Sequence, residues 1–253
     1  MMPDETVVDV SQDWVLACDV QQRFMQGAGW STKDRVDYSA QCRQVRALGG
    51  DCYDFIPLPD NRLAIAVGDA SGKGLAAALM IANVQASLRT ATLFSTDDLA
   101  ALLRVVNHQA FTSSLADRYA TLFYGIFDRE TCALRYVNAG HNPAAVLRSD
   151  GSILWLESGG APVGMFSDSN YQESSLQLLA GDLVIIYTDG VVEASNPAGE
   201  DWGVEGLLNT ATAWHQQRCG RAEDLVRLTF SSMDNFSNGH QNDDATLAVL
   251  HVG

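Results

Sequence analysis

The sequence predicts an α+β fold: two antiparallel sheets, with one pair of helices inserted early in the chain and another late. Three observations lead to this prediction. Most apolar segments alternate with a period of two, as half-buried strands do. They follow one another at intervals of about ten residues, which is typical of antiparallel sheets. The turns between them are rich in Gly and Asn-Pro and leave no room for crossover helices, so βαβ units are excluded over this stretch.

Five segments are predicted as helices. The first covers 11–26, where apolar residues fall near one helical face. The segment 72–94 is apolar on nearly every side and is expected to be buried. The segment 97–111 begins with acidic residues, which suit a helix N-terminus. The two late helices are predicted over 204–217 and 222–234.

The strands are assigned by their alternation and by the turns that bound them. Segments 52–58 and 62–69 flank Pro59-Asp60-Asn61 and are predicted to form a hairpin. The remaining predicted strands cover 36–42, 119–128, 132–139, 144–149, 153–156, 174–179, 182–189 and 245–251. The glycines Gly27 and Gly29, with the polar residues that follow, predict a break. We therefore expect two units: an N-terminal linker or regulatory helix over 1–30 and a catalytic domain over 31–253.

Composition excludes several classes of protein. The 253 residues are 47% hydrophobic and 19% charged, which allows a sizeable core and excludes general disorder. The net charge of −15 would repel nucleic acid and anionic lipid, so neither is an expected partner. No apolar run is long enough to insert in a membrane. The five cysteines are scattered and form no CxxC pair, which argues against a disulfide framework and favours a cytoplasmic location.

Aspartates stand beside small residues at the ends of apolar strands in four places. Two of these segments, LAIAVGDASG and LVIIYTDGVV, share one design: a strand anchors the backbone, and a carboxylate follows with little around it. The four segments contain Asp51 with Asp54, Asp69, Asp189, and Asp243 with Asp244. Taken alone, each aspartate is a common turn residue. If they converge, their mutual repulsion requires a cation, and all-oxygen ligands favour Mg²⁺ or Mn²⁺. Two such ions can activate water against a phosphoryl group without a protein nucleophile.

These residues also carry a family resemblance. The segment GGDCYDFIPLPDNRLAIAVGDASGKGLAAALM resembles the opening of the SpoIIE/RsbU branch of the metal-dependent, phosphatase 2C-type protein phosphatases. NAGHNPA, GGAPVGMF, LVIIYTDGVVEA and NDDATLAVL are similar to its later blocks, in the same order. The resemblance spans about 36–252, and segment 19–25 is similar to the linker helix that precedes the domain. It implies an α-β-β-α sandwich and a phosphoserine or phosphothreonine protein substrate.

The resemblance also implies a set of site residues. Asp69 matches the aspartate that bridges two metal ions, and Ala70 matches the neighbour that lends a backbone carbonyl. Asp189 and Asp243 match the other ligands of the second ion, and Asp51 matches an early acidic ligand. These implied assignments make Asp69, Asp189 and Asp243 the catalytic residues and two Mn²⁺ or Mg²⁺ ions the cofactors. Asp54 has no clear counterpart, and Asp244 stands where the wider family has Asn, in a supporting position.

The chain departs from the wider family at two positions. That family often has an Arg just before its first acidic residue to bind the phosphate; here Arg46 could serve, or it could be an ordinary surface arginine. The family's His after its Asp-Gly, a suspected general acid, is replaced here by Ser71-Gly72-Lys73. His141, in a Gly-His-Asn-Pro turn, is expected to be structural rather than catalytic.

Rival functions are weaker. Residues 68–74 are one residue short of a Walker A loop and have Gly where the magnesium-binding hydroxyl should be. No Cys has the Arg six positions later that a cysteine phosphatase needs. An inactive module that binds a phosphoprotein is the alternative from another class, although such a module need not keep Asp69, Asp189 and Asp243.

The resemblance also implies partners. In this branch the usual substrate is a phosphorylated regulatory protein, such as an anti-sigma-factor antagonist. The helix over 11–26 could form a homodimer.

Overall fold

A computed structural model describes residues 10–25, 29–30, 36–115, 117–157, 159–217 and 220–253. Its helices are α1 Val10–Phe24, α2 Leu75–Phe94, α3 Leu99–Ser113, α4 Asp189–Val192, α5 Gly203–Gln216 and α6 Ala222–Ser237. Its strands are β1 Gly29–Trp30, β2 Val36–Arg43, β3 Asp51–Leu58, β4 Arg62–Ala70, β5 Ala120–Asp128, β6 Ala133–Ala139, β7 Ala144–Leu147, β8 Ile153–Leu156, β9 Ser174–Gln177, β10 Leu183–Tyr187 and β11 Ala245–Val252.

The described strands form two antiparallel sheets. One sheet has the order β1-β2-β11-β10-β7-β8, and the other has the order β3-β4-β5-β6-β9. Apolar side chains from both sheets, such as Phe55, Phe123 and Ile186, pack against each other between them. Helices α2 and α3 cover the outer face of the second sheet, and α5 and α6 cover that of the first. This is the predicted α+β fold, an α-β-β-α sandwich.

The hairpin between β3 and β4 forms where the sequence predicts it. Asp60 and Asn61 have φ values of 58° and 55°. A turn whose two central residues both have positive φ matches the right-handed twist of its strands, and Asp and Asn tolerate that conformation better than most residues. The turn fixes the register of the hairpin, so that Asp51 lies directly opposite Asp69.

The structure differs from the predicted elements in three respects. Asp189 begins the short helix α4 rather than ending a strand, and β1 pairs with β2 inside the predicted break. The rest of that break, 26–28 and 31–35, lies outside the described residues. The prediction that the segment 72–94 is buried holds for side chains such as Ile81 and Leu88 but is wrong for Leu79 and Phe94 of α2, which are 64% and 86% exposed. Among the described residues, none covers these two side chains of α2.

Helix α1 is held to the sandwich by amide groups more than by apolar contacts. The Gln21 side chain donates to the Gly49 carbonyl (2.8 Å) and accepts from the Gly49 N–H (3.2 Å). The carbonyl of Phe24 accepts from Gln85 Nε2 of α2 (2.8 Å). Five large apolar side chains of α1 remain exposed: Trp14, Val15, Leu16, Val20 and Phe24. No helix among the described residues is long and apolar enough to cross a membrane.

Candidate metal and phosphate site

Four acidic segments meet where the two sheets come together at one edge. Asp51 begins β3 and Asp69 lies near the end of β4, so the second sheet supplies both. Asp189 follows β10 and Asp243 precedes β11, so the first sheet supplies the other two. The charge of Asp189 and that of Asp243 both raise the pKa of Asp69. The four aspartates therefore lie close enough for their charges to interact.

Asp51 is the most buried of these carboxylates. Its Oδ2 accepts hydrogen bonds from the hydroxyls of Thr188 (2.8 Å) and Thr246 (2.7 Å), which belong to the opposite sheet. The Thr188 hydroxyl in turn accepts from the Thr246 N–H (2.8 Å). Burial, followed by the charge of Asp69, raises the pKa of Asp51 well above its usual range, although the two threonine bonds partly oppose this. Asp51 thus joins the two sheets by hydrogen bonds and carries an unfavourable charge.

Asp69 is in a similar electrostatic position. Burial raises its pKa to about 7, and the charges of Asp189 and Asp243 add to the effect. The next residue, Ala70, is buried and donates its N–H to the Gly50 carbonyl (3.0 Å). The glycine at position 50 allows this approach, because a Cβ there would lie 2.9 Å from the Ala70 carbonyl oxygen. The backbone of Ala70 is therefore fixed beside the carboxylates.

Asp189 is held at the first position of α4. Burial raises its pKa, and the charge of Asp243 adds to this. Gly190, which follows it, packs so closely on the backbone carbonyl of Asp244 that any Cβ would overlap it. The Asp-Gly pair of the sequence is thus explained by packing: the glycine lets α4 approach β11, and this approach brings Asp189 toward Asp243.

Among the described residues, Asp243 is the one carboxylate of the four that forms a salt bridge. Its Oδ2 lies 2.7 Å from Lys73 Nζ. The same ammonium donates to the Asn242 carbonyl (2.9 Å). Both side chains of the pair are about two-fifths exposed, so solvent weakens the pair. Lys73 therefore offsets part of the negative charge that the four aspartates bring together.

Asp244 and Asp54 do not belong to this group. The two oxygens of Asp244 accept from the N–H groups of Val45 and Gly50, each at 2.8 Å. Asp244 thereby holds both ends of the loop that contains Arg46, which agrees with a supporting position. Asp54 faces α2 instead, where its fully buried carboxylate is paired with Arg89.

Two arginines lie near the carboxylates. The exposed Arg46 has its Nη1 beside Gly74, at the beginning of α2; a Cβ on that glycine would be 3.4 Å away. Arg118, which the sequence analysis did not select, donates from Nη1 to the Ser71 carbonyl (2.9 Å), two residues after Asp69. Arg118 thus lies beside the loop that follows Asp69, and Arg46 lies beside the start of α2.

His141 has the structural position expected for it. Its side chain is buried, and Nδ1 of the ring lies 2.9 Å from the Thr121 hydroxyl. The backbone N–H of His141 donates to Asn138 Oδ1 (2.8 Å). Burial lowers the pKa of His141 to about 4, although the Tyr187 backbone opposes this slightly. The imidazole is therefore neutral at pH 7.

The donor set fits hard divalent cations in chemistry and in charge. All its side-chain donors are carboxylates, and the pKa values of Asp51, Asp69 and Asp189 are all raised by burial and by neighbouring carboxylates. A bound cation would remove this repulsion. Among the described residues, however, no three His, Cys, Asp or Glu side chains stand close enough to hold a metal ion as they are. In this arrangement Asp243 Oδ2 is paired with Lys73, and Asp51 Oδ2 accepts from its two threonines.

Sequence reasoning missed Thr188, Thr246, Gln21 and Arg118. Thr188 stands directly before Asp189, and Thr246 stands three residues after Asp243. Their closeness in sequence to predicted ligands could therefore have identified both as supporting residues. No such signal marks Gln21 or Arg118, because their contacts join segments that are far apart in the chain.

Comparisons with known proteins agree with this geometry. The family model described as Stage II sporulation protein E (SpoIIE) matches residues 59–253. Protein IcfG of Synechocystis is 33% identical over 236 residues, covering 82% of this chain and 36% of IcfG. Phosphoserine phosphatase RsbU of Bacillus subtilis is 26% identical over 248 residues, covering 96% of this chain and 70% of RsbU. The SiaA-PP2C domain of Pseudomonas aeruginosa superposes with a TM-score of 0.80 at 18% identity, covering 96% of this chain and 97% of that domain. The chain thus spans only about a third of IcfG.

Proposed function

Since the chain belongs to the SpoIIE family, we propose that it is a metal-dependent protein serine/threonine phosphatase that acts on a phosphorylated regulatory protein. The observation that carries this proposal is the meeting of Asp51, Asp69, Asp189 and Asp243 from two sheets, with raised pKa values at three of them. The similarity to RsbU, whose name describes a phosphoserine phosphatase, supports the substrate class. An anti-sigma-factor antagonist is the proposed kind of target.

In this proposal Asp51, Asp69, Asp189, Asp243 and the Ala70 carbonyl hold two Mn²⁺ or Mg²⁺ ions. Such ions supply an activated water and offset the charge that develops on a phosphoryl group. The protein's own contribution is to position the groups. Thr188 and Thr246 orient the Asp51 carboxylate, and Asp244 holds the loop that presents Arg46. Arg46 binds phosphate oxygens, for which a guanidinium offers paired donors. His141 is assigned a structural role, because it is buried and hydrogen bonded to Thr121 and Asn138.

The direct test is turnover of p-nitrophenyl phosphate and of a phosphoserine protein with Mn²⁺ or Mg²⁺, and then with excess chelator. We expect turnover of both substrates with metal and none with chelator. Asp60→Asn, which changes an exposed carboxylate in the β3–β4 turn, at the opposite end of that hairpin from Asp51 and Asp69, is the matched control and should behave as the unsubstituted chain. Undiminished turnover in chelator would contradict metal dependence.

A specific observation favours the alternative, an inactive module that binds a phosphoprotein. The Lys73 ammonium sits on Asp243, where the proposed chemistry needs a metal ion. If the pair is permanent, the chain binds phosphoprotein but turns over nothing. The variant Lys73→Met, which frees Asp243, separates the two functions. Turnover by the unsubstituted chain excludes the alternative, whereas turnover by the variant alone identifies Lys73 as the inhibiting group.

We further propose that residues 1–30 form a regulatory unit and that 31–253 form the catalytic domain. The exposed apolar side chains of α1 form a surface that a second copy of α1 would cover in a homodimer. The contacts of Gln21 with Gly49, two residues before Asp51, would connect such a dimer with the carboxylates. The described cysteines Cys18, Cys42, Cys52 and Cys132 are free, which fits the reducing cytosol that we propose for this protein.

A further inference from the structure

A small apolar groove lies next to the candidate site. It has a volume of about 350 Å³ and runs between the first turns of α2 and the segment that follows α3. Met80 contributes to its lining, and the large side chains Leu79 and Leu115 border it, 64% and 74% exposed. Asn83 Nδ2 donates to the Ser113 hydroxyl (2.6 Å) and ties the two helices together along it. Two largely exposed leucines at the border of one cavity form an apolar patch of the kind that marks binding surfaces.

The groove is continuous with the site through Arg118. This residue lines the groove, and its guanidinium donates to the Ser71 carbonyl (2.9 Å) in the loop after Asp69. The Ser71 hydroxyl in turn accepts from the Tyr119 N–H (3.1 Å). Gly72 makes room for the arginine, because a Cβ there would overlap its guanidinium. A ligand whose anionic group binds at the proposed metal site would therefore lie beside this apolar groove. The guanidinium of Arg118 would lie between the anion and the groove.

We infer that this groove binds an apolar side chain of the phosphoprotein substrate, close in sequence to the phosphorylated residue. The inference rests on the proposed function and names the feature of the substrate that is recognised. The chain has only 16 Lys and Arg against 31 Asp and Glu. One of these few cations, Arg118, lies where a phosphate and an apolar side chain of the same peptide would meet, and its charge therefore favours a phosphorylated peptide as the occupant. A cavity of this volume suits one or two aliphatic side chains.

Distances along the chain limit which substrate residue reaches the groove. Leu79 lies four residues into α2, about 6 Å along the axis from Leu75 at 1.5 Å per residue. An extended peptide advances about 3.3 Å per residue. The apolar side chain should therefore lie at least about two residues from the phosphoserine, and separations of two to four residues are the ones to test. The chain's own α1 is a poor occupant, because it meets α2 through Gln85, whose amide group points toward Asp54 and Phe24.

The test uses the full chain and synthetic phosphoserine peptides. One set carries Leu at two, three or four residues before or after the phosphoserine, and a matched set carries Ser at the same positions. Turnover with Mn²⁺ and binding by fluorescence anisotropy are measured for both sets. The proteins compared are the unsubstituted chain, Leu79→Ser, Leu115→Ser and the control Leu93→Ser. Leu93 is equally exposed, at 72%, but lies at the far end of α2.

We expect the unsubstituted chain and Leu93→Ser to prefer one Leu peptide over its Ser counterpart by about tenfold in kcat/KM or in affinity. In Leu79→Ser and Leu115→Ser the ratio should fall to within about twofold. Equal ratios in all four proteins would overturn the inference. The inference would also be overturned if light scattering showed a lower mass for the Leu79→Ser protein while its ratio of Leu to Ser peptide stayed unchanged. The groove would then bind a second copy of the chain rather than the substrate. A third outcome is that no peptide is dephosphorylated while the ratio of affinities for Leu and Ser peptides still falls in Leu79→Ser and Leu115→Ser. In that case the inference on the groove is supported and the proposed phosphatase activity is contradicted.

Discussion

Asp51 and Asp69 lie directly opposite each other on β3 and β4, and Asp51 is also hydrogen bonded to two threonines of the other sheet. The pairing places two carboxylates on one face of one hairpin, and burial raises the pKa of each. An arrangement that is electrostatically unfavourable for the apoprotein is typical of a site that binds a cation.

Replacing Asp69 should separate activity from stability. In Asp69→Ala we expect phosphatase activity to fall more than about 100-fold, the upper end of what loss of a supporting partner alone costs at a metal site. In chelator the unfolding temperature should hold or rise, because removing one carboxylate relieves repulsion from Asp189 and Asp243. Activity is measured at saturating Mn²⁺ and stability by thermal unfolding in chelator. Normal turnover by this variant would contradict the role of Asp69.

Arg46→Ala should raise KM by roughly tenfold and leave kcat nearly unchanged. A phosphate contact made equally in the ground state and the transition state is uniform binding, and its loss appears in KM. Steady-state kinetics with a phosphoserine peptide provide the measurement. Arg104→Ala, at an exposed arginine of α3, is the control and should change neither constant. An unchanged KM in Arg46→Ala would make Arg46 an ordinary surface residue.

Asp244 should matter for the loop that it holds. Asp244→Ala leaves the N–H groups of Val45 and Gly50 without their acceptor, so we expect a loss of about 1–2 kcal/mol in the free energy of unfolding. Because the same loop presents Arg46, KM should rise as well. Asp244→Asn retains one oxygen acceptor and should lose about half as much stability. Urea unfolding of the two variants gives the comparison, and equal stability of both with the unsubstituted chain would refute the role.

Deleting residues 1–30 should convert a dimer into a monomer and change basal activity, since it removes the apolar surface of α1 together with the Gln21–Gly49 contacts. A combined Val15→Ser and Leu16→Ser variant should dissociate the dimer while leaving Gln21 in place. Light scattering gives the mass of each protein. The same mass before and after both changes would refute the dimer.

His141 should make the protein sensitive to acid. Its folded-state pKa of about 4 lies below the ordinary value of 6.5, so the unfolded chain binds the extra proton first as pH falls. Stability contributed by the neutral imidazole is present above pH 6.5 and is lost as pH falls from 6.5 toward 4. The difference corresponds to roughly 3 kcal/mol. His141→Asn should flatten this part of the stability profile, measured by urea unfolding between pH 4 and 8; parallel profiles would contradict the assignment.

The alternation of apolar residues predicted most strands to within a few residues, because side chains in a sheet alternate between two faces whatever lies beyond them. The same reasoning failed for one face of α2. An apolar sequence shows that a helix can be buried, but Leu79 and Phe94 are exposed because none of the described elements covers them. The two-residue strand β1 is too short to show any period, and α4 is a single turn.

For the site, the sequence marked the acidic residues at strand ends but not the contacts that hold them. The bonds from Thr188 and Thr246 to Asp51 depend on how one sheet lies on the other, and the pair of Lys73 with Asp243 joins residues far apart in the chain. Spacing within one segment carries no information on either. The resemblance to a family supplied the fold and the order of the ligands, while the supporting groups required the packed structure.

The place of β11 in its sheet has a consequence for biosynthesis. This strand is the last one described in the chain, yet it lies between β2 and β10 and pairs with both. Its first residues follow Asp243 and include Thr246, which bonds to Asp51. On a ribosome, the early and middle strands emerge first and cannot complete their sheet until the last one is inserted between them. We therefore expect the nascent chain to have no activity until residues 243–252 have emerged, so that catalysis begins only with a fully translated domain.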